Sequence, residues 1–149
     1  MDKLQWCCQQ KKGIVIIPPN NTLCSEYMKC SDEDLIAMMQ QKGKWRNIAA
    51  YYSCYESLCA ILQKIGIKCE IHECSIALMG NIPGFSLKDK EFILNLKKER
   101  IDVQYYLKKP NVINEKRVKE FVLLCKQILS NITEKDKQDI RNMIKKIIG

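Results

Sequence analysis

Three kinds of side chain in this sequence could do chemistry: a histidine flanked by cysteines, an arginine set among apolar residues, and a run of tyrosines. The first lies in KCEIHEC, residues 68–74, which holds Cys69, His72 and Cys74. Thiolate and imidazole ligands held close together bind zinc. Here only three ligands are present and their spacing is that of no common finger. On one helix, positions 69 and 72 share a face while 74 points elsewhere. The expectation is a packed or surface trio, with no metal and no other cofactor. His72 is the only histidine in the chain. With an ordinary pKa near ~6.5 it could act as a general base. The plainer reading is a helix cap or a hydrogen-bonded packing residue, because no serine, cysteine and acid arrangement around it can be read.

The arginine lies in ERIDVQYY, residues 99–106. At about 100° per residue, Phe92, Ile93, Leu96, Val103 and Leu107 share one helical face, and Arg100 falls within it. A guanidinium does not lose its proton, so burying it without a partner is costly. Gln104, one turn on, sits about 40° away around the axis and forms a polar patch with it, and Tyr106 flanks the apolar stripe. Glu99 and Asp102 are poor intrahelical partners for Arg100. It must look across the fold, to Glu56, Glu70, a backbone carbonyl or a bound anion. An internal salt bridge is the structural reading, and a phosphate or nucleic-acid contact is the functional one.

The tyrosines lie in YYSCYESL, residues 51–58, with Tyr52 and Tyr55 three apart on one side of a helix. Base stacking is one use for such rings. Core packing is the stronger reading, because the surrounding helix is apolar nearly all round. Buried hydroxyls would then need partners.

The elements that must position these residues are helical. From about Leu23 to Gln41 the apolar residues recur at helical spacing, until KGK breaks the pattern. A second helix follows from Lys44 to Ile65, with Gly66 as its natural stop, and its two-sided apolar character makes it the central one. A short helix is expected from about Glu70 to Met79. Ser86 and Asp89 form a capping pair for a helix running to about Lys108, ended by Pro110. Asn114 caps a helix to about Leu129, and Thr133 with Asp136 caps a last one. GIVIIPP, residues 13–19, reads as an extended surface arm with no second strand to join it. The expected fold is a single all-α domain over residues 1–149, with an N-terminal arm at 1–22 and a four- to five-helix up-and-down bundle at 23–149.

Composition narrows the class. The chain is 46% apolar and 28% charged, which does not indicate disorder. No apolar run approaches the roughly 20 residues of a membrane span, and MDKLQWCCQQKKG has no apolar export core. No membrane role and a cytoplasmic location are expected. There are nine cysteines, an odd number, so thiols rather than a disulfide framework are expected; Cys54, Cys59 and Cys125 fall on apolar helical faces. The net charge of +8 is uneven: residues 97–149 carry 14 basic and 7 acidic side chains, a net of +7. Solubility of two amphipathic helices explains this, and so does attraction to nucleic acid.

The segment WRNIAAYYSCYESLCAILQKIGIKCEIHECSIALM, residues 45–79, resembles the central part of HEPN domain proteins. In that family a tyrosine-rich helix is followed by a K-x-G-I turn and a histidine-bearing segment. KKERIDVQYYL, residues 97–107, resembles the family's R-x-x-A-x-Y helix, and DLIAMMQQKGKW suits the helix before the tyrosines. The resemblance spans roughly residues 24–130. It implies an all-α bundle, usually a homodimer. Many members are ribonucleases of toxin–antitoxin, CRISPR-associated or defence systems, and others partner nucleotidyltransferases and bind nucleotides or RNA. In the ribonuclease members an Arg-x(4–6)-His pair works without metal: the histidine acts on the 2′-hydroxyl or leaving oxygen and the arginine stabilises phosphate charge.

This chain departs from that motif. The positions separated from His72 by four to six intervening residues hold Ile67, Gly66 and Ile65, and Arg100-x4 leads to Tyr105, a poor base with its ordinary pKa near ~10. The resemblance therefore implies a module that binds RNA or nucleotide through Arg100, Gln104, Tyr105 and Tyr106, with His72 lining the site, or one that partners a nucleotidyltransferase. The alternative is a metal-independent ribonuclease with His72 and Arg100 as catalytic residues, which requires the two to meet from different helices.

Overall fold

A computed structural model describes all residues, 1–149. It is an all-α bundle. The elements in chain order are α1 (Lys3–Gln9), β1 (Val15–Ile16), α2 (Asn21–Gln40), α3 (Lys44–Ile65), β2 (Ile67–Lys68), α4 (His72–Ala77), α5 (Leu87–Gln104), α6 (Glu115–Asn131) and α7 (Glu134–Ile148). A single 3₁₀ turn, Leu78–Asn81, follows α4.

α3 is the centre. It packs along α2, and α5 and α6 cover its other sides. Its apolar residues face all directions, so Tyr51, Cys54, Leu58, Ile61 and Ile65 are all wholly buried. Side chains of this size each contribute about 1.5–3 kcal/mol when removed from water. Phe121 of α6 fills the space between Phe85 and Phe92, with ring centroids 6.0 and 6.1 Å away. Cys59 and Cys125 pack as small apolar residues, and burial pushes both thiols up to about 12.

The helix ends follow from local chemistry. The side chains of Asn20, Ser86, Asn114 and Thr133 each accept a backbone N–H of the first turn of α2, α5, α6 and α7 respectively. Gly66 ends α3 at φ +97°, in the left-handed region that favours glycine. Arg141 of α7 closes that end, its Nη1 donating to the carbonyls of Ile17 at 2.7 Å, Gly66 at 3.0 Å and Ile65 at 3.3 Å. A Cβ on Gly66 would collide with that guanidinium.

Several sequence expectations are corrected. Residues 1–22 are not simply an extended arm. Asp2 and Gln5 form a capping box that starts α1. Val15–Ile16 does find a partner strand, pairing antiparallel with Ile67–Lys68. Strands of two residues are too short to show a period of two. The helix expected from Glu70 starts at His72, and the helix expected to reach Lys108 stops at Gln104. There the Lys108 N–H turns back to the Asp102 carbonyl at 3.0 Å, and Leu107 adopts φ +53°. Leu107, placed on the apolar stripe by periodicity, is therefore 76% exposed. Finally, Cys7 and Cys74, expected as thiols, are joined by a disulfide that ties α1 to α4. Both sulfurs lie on wholly buried residues, 67 positions apart in sequence.

Candidate functional site

The site is built on α3, which offers Tyr51 and Tyr52 at successive positions and Tyr55 one turn on. α5 lays Arg100 against the first two rings. Its guanidinium carbon is 5.0 Å from the Tyr51 ring centroid, 5.4 Å from that of Tyr52 and 5.9 Å from that of Tyr105. Nη1 donates to the Tyr52 hydroxyl at 3.1 Å and more weakly to Gln104 Oε1 at 3.4 Å. Nε is buried without an acceptor, and the residue as a whole is 8% exposed. Aromatic faces attract a cation, but they do not neutralise it.

No carboxylate pairs with Arg100. This corrects the expected partners. Glu56 instead faces Asp34 of α2. Burial, then the neighbouring Asp34 and Glu33, push its carboxyl up to about 9, so it is uncharged at neutral pH. Glu70 makes no ion pair or hydrogen bond with the arginine either. The other three arginines of the chain each have a carboxylate or backbone-carbonyl partner, although Arg46 Nε is also buried without an acceptor. Arg46 meets Glu115 at 2.6 Å, Arg117 meets Asp89 at 2.7 Å, and Arg141 holds three carbonyls.

α4 brings His72 onto the same tyrosines. Its ring stacks on Tyr55, centroids 3.9 Å apart and planes 15° apart, and lies edge-on to Tyr52 at 6.2 Å. Nδ1 is 2.7 Å from the Tyr51 hydroxyl. The Tyr55 hydroxyl is engaged by Ser75 at 3.0 Å. Burial, then Arg100 and Lys97, lower the His72 pKa to about 4, so the ring is neutral at pH 7. Burial keeps Tyr51 and Tyr55 protonated far above the ordinary phenol range. Beside His72 a groove of about 280 Å³ opens between Tyr27, Tyr52, Tyr55, Cys69 and Glu70.

The residues singled out from sequence therefore separate. Arg100 and His72 converge on the tyrosines of α3, and Gln104 and Tyr105 lie against Arg100. Tyr106, 69% exposed beyond the end of α5, makes no contact with them. Cys69 and Cys74 do not join His72 as ligands: Cys74 is held by Cys7, and the Cys69 thiol donates to the Ile71 carbonyl at 3.4 Å. No three His, Cys, Asp or Glu side chains converge anywhere as a metal site. The residue missed was Tyr51. Its packing was legible, but its role as the partner of the lone histidine was not. The i, i+4 pairing of Tyr51 with Tyr55 on one helical face was the available signal.

No helix is long and apolar enough to cross a membrane. Comparison with protein-family models, with curated proteins and with solved structures returns no match. The site's donors are one guanidinium, a neutral imidazole and phenols, which together suit an oxyanion.

Proposed function

We propose that this chain is a HEPN-like helical module, acting as a homodimer, that binds RNA or a nucleotide through phosphate contact at Arg100. It would serve as the partner of a nucleotidyltransferase in a toxin–antitoxin or defence setting, as the resemblance of residues 45–79 and 97–107 implies. One observation carries the phosphate reading: Arg100 is the only arginine of four that is buried without a carboxylate or backbone carbonyl. A buried cation lacking an anion is expensive, and a ligand's phosphate would supply the missing charge. Tyr105, 64% exposed at the rim, offers a face for a base.

A metal-independent ribonuclease is the second reading. It is favoured by the approach of Arg100 and His72 to the same two rings. The low basicity of His72 weighs against it, since a general base works best with a pKa near the operating pH.

Fluorescence anisotropy with a labelled short oligoribonucleotide, beside a cleavage assay in EDTA, separates the two. Arg100→Met should keep the fold and weaken binding roughly 10- to 100-fold, the worth of one charge-assisted hydrogen bond. Binding untouched by the substitution would make Arg100 purely structural. Cleavage by the wild type that is lost in both His72→Ala and Arg100→Ala would establish the ribonuclease instead.

A further inference from the structure

Tyr51 is wholly enclosed, so water cannot reach its hydroxyl, and that hydroxyl has one polar neighbour, Nδ1 of His72 at 2.7 Å. Suppose that Nδ1 carried the imidazole proton and donated it to the phenol oxygen. The phenol's own proton would then be stranded in the core with no acceptor, a costly state. The reverse arrangement satisfies both groups. The phenol donates, Nδ1 accepts, and the single proton of the neutral ring sits on Nε2. The stack on Tyr55 fixes the ring plane. Nε2 has no protein partner and is not enclosed, so it is the one polar atom of His72 free to meet a ligand.

We propose that Tyr51 is a positioning residue that holds His72 as the Nε2–H tautomer, making the imidazole a neutral hydrogen-bond donor to the same phosphate oxyanion that Arg100 attracts. This rests on the phosphate-binding reading above. It adds the division of labour: Arg100 supplies charge, His72 supplies direction, and Tyr51 decides which ring nitrogen faces outward. A ring protonated on Nε2 cannot accept the proton of a 2′-hydroxyl through that atom. The same hydrogen bond that builds the donor thus removes the base. The groups surrounding the ring agree with a neutral donor: Arg100 and Lys97 from α5 repel a charged ring, and the phenols of α3 are uncharged.

His72 is the only histidine, so a long-range proton–nitrogen correlation spectrum of ¹⁵N-labelled protein contains one imidazole. At pH 7 the wild type should show Nδ1 unprotonated and Nε2 protonated. Tyr51→Phe should give a mixture of the two neutral tautomers. A dinucleotide with a single phosphodiester should shift the Nε2 resonance in the wild type and leave it unmoved in Arg100→Met. A wild-type ring protonated on Nδ1, or on both nitrogens, overturns the positioning role, and this needs no variant to fold. Dinucleotide bound by anisotropy with Nε2 unmoved overturns the donor role alone. A fixed Nε2–H ring in a protein with no affinity for the dinucleotide overturns the phosphate-binding reading and, with it, the donor role, while the positioning by Tyr51 stands.

Discussion

His72 of α4 and Glu56 of α3, which line the same groove, show how burial sets two opposite pH dependences. His72 has its pKa lowered to about 4 from an ordinary 6.5. Above pH 6.5 the ring is neutral in both folded and unfolded chains, and pH has no leverage through it. As pH falls from 6.5 towards 4, the unfolded chain takes up a proton that the native ring refuses, so stability falls; below 4 the effect levels off. Glu56 works the other way. Its native carboxyl keeps a proton up to about 9 while the unfolded one loses it near 4.5, so native stability falls as pH rises between those values. The two overlap between 4.5 and 6.5, and the raw stability curve there reports neither. The difference between the wild type and His72→Asn isolates the imidazole. Because His72 is only half-buried, solvent screening trims its share to about 1–2 kcal/mol. Urea unfolding of both proteins at pH 7.5, 5.5 and 4 should show the wild type losing that much more than the variant. A constant difference across the three values would mean that the ring charges freely in the native state.

At the scale of elements, the disulfide is where structure and sequence diverge most, and its consequence is countable. Chain purified without reductant and then unfolded should titrate as seven thiols, rising to nine after reduction. Because the bridge closes a loop of 67 positions, its loss should lower stability by about 2–4 kcal/mol. Nine thiols before reduction would return Cys7 and Cys74 to the reduced state that composition implied. The helix α1 that carries Cys7 could not be seen by periodicity, because seven residues barely make two turns and are held only by what they dock on. α3, by contrast, was legible to the residue at both ends. Its apolar pattern runs for six turns between two glycines, Gly43 at φ +62° and Gly66 at φ +97°. The same contrast holds in the site. That Arg100 lies inward with Gln104 beside it follows from helical geometry alone. Its partner does not: Glu56 and Tyr52 are one turn apart on α3, and only the placement of α2 decides that Glu56 turns to Asp34 and Tyr52 to the arginine. The Tyr51–His72 bond spans 21 positions and three elements, and no local pattern encodes it.

On the whole molecule, the basic side chains of residues 97–149 look at first like a nucleic-acid surface, but ion pairs occupy half of the 14. Asp102 is shared by Lys98 and Lys108, Glu120 meets Lys116, Asp139 meets Lys135, and Glu134 meets Lys137. Arg117 and Lys126 pair with Asp89 and Asp32. Beside Arg100, and Arg141 on its three carbonyls, the cations with no carboxylate are Lys97, Lys109, Lys119, Lys145 and Lys146. The last two occupy the final turn of α7, where a positive charge favours the helix end. Lys97 is close enough to His72 to depress its pKa, and Lys109 follows the exposed Tyr105–Leu107 turn. If these two and Arg100 each meet one phosphate of a single strand, the logarithm of affinity should fall with that of salt at a slope of about −2. Raising salt fourfold, from about 50 to 200 mM, should then weaken oligoribonucleotide binding roughly 20-fold. A Lys97→Gln, Lys109→Gln pair should flatten the slope to about −0.7, while Lys145→Gln with Lys146→Gln should leave it unchanged. An equal loss from both pairs would place the attraction in diffuse charge rather than at the arginine. A slope near zero would remove phosphate from the interaction, leaving the basic excess as a device of solubility.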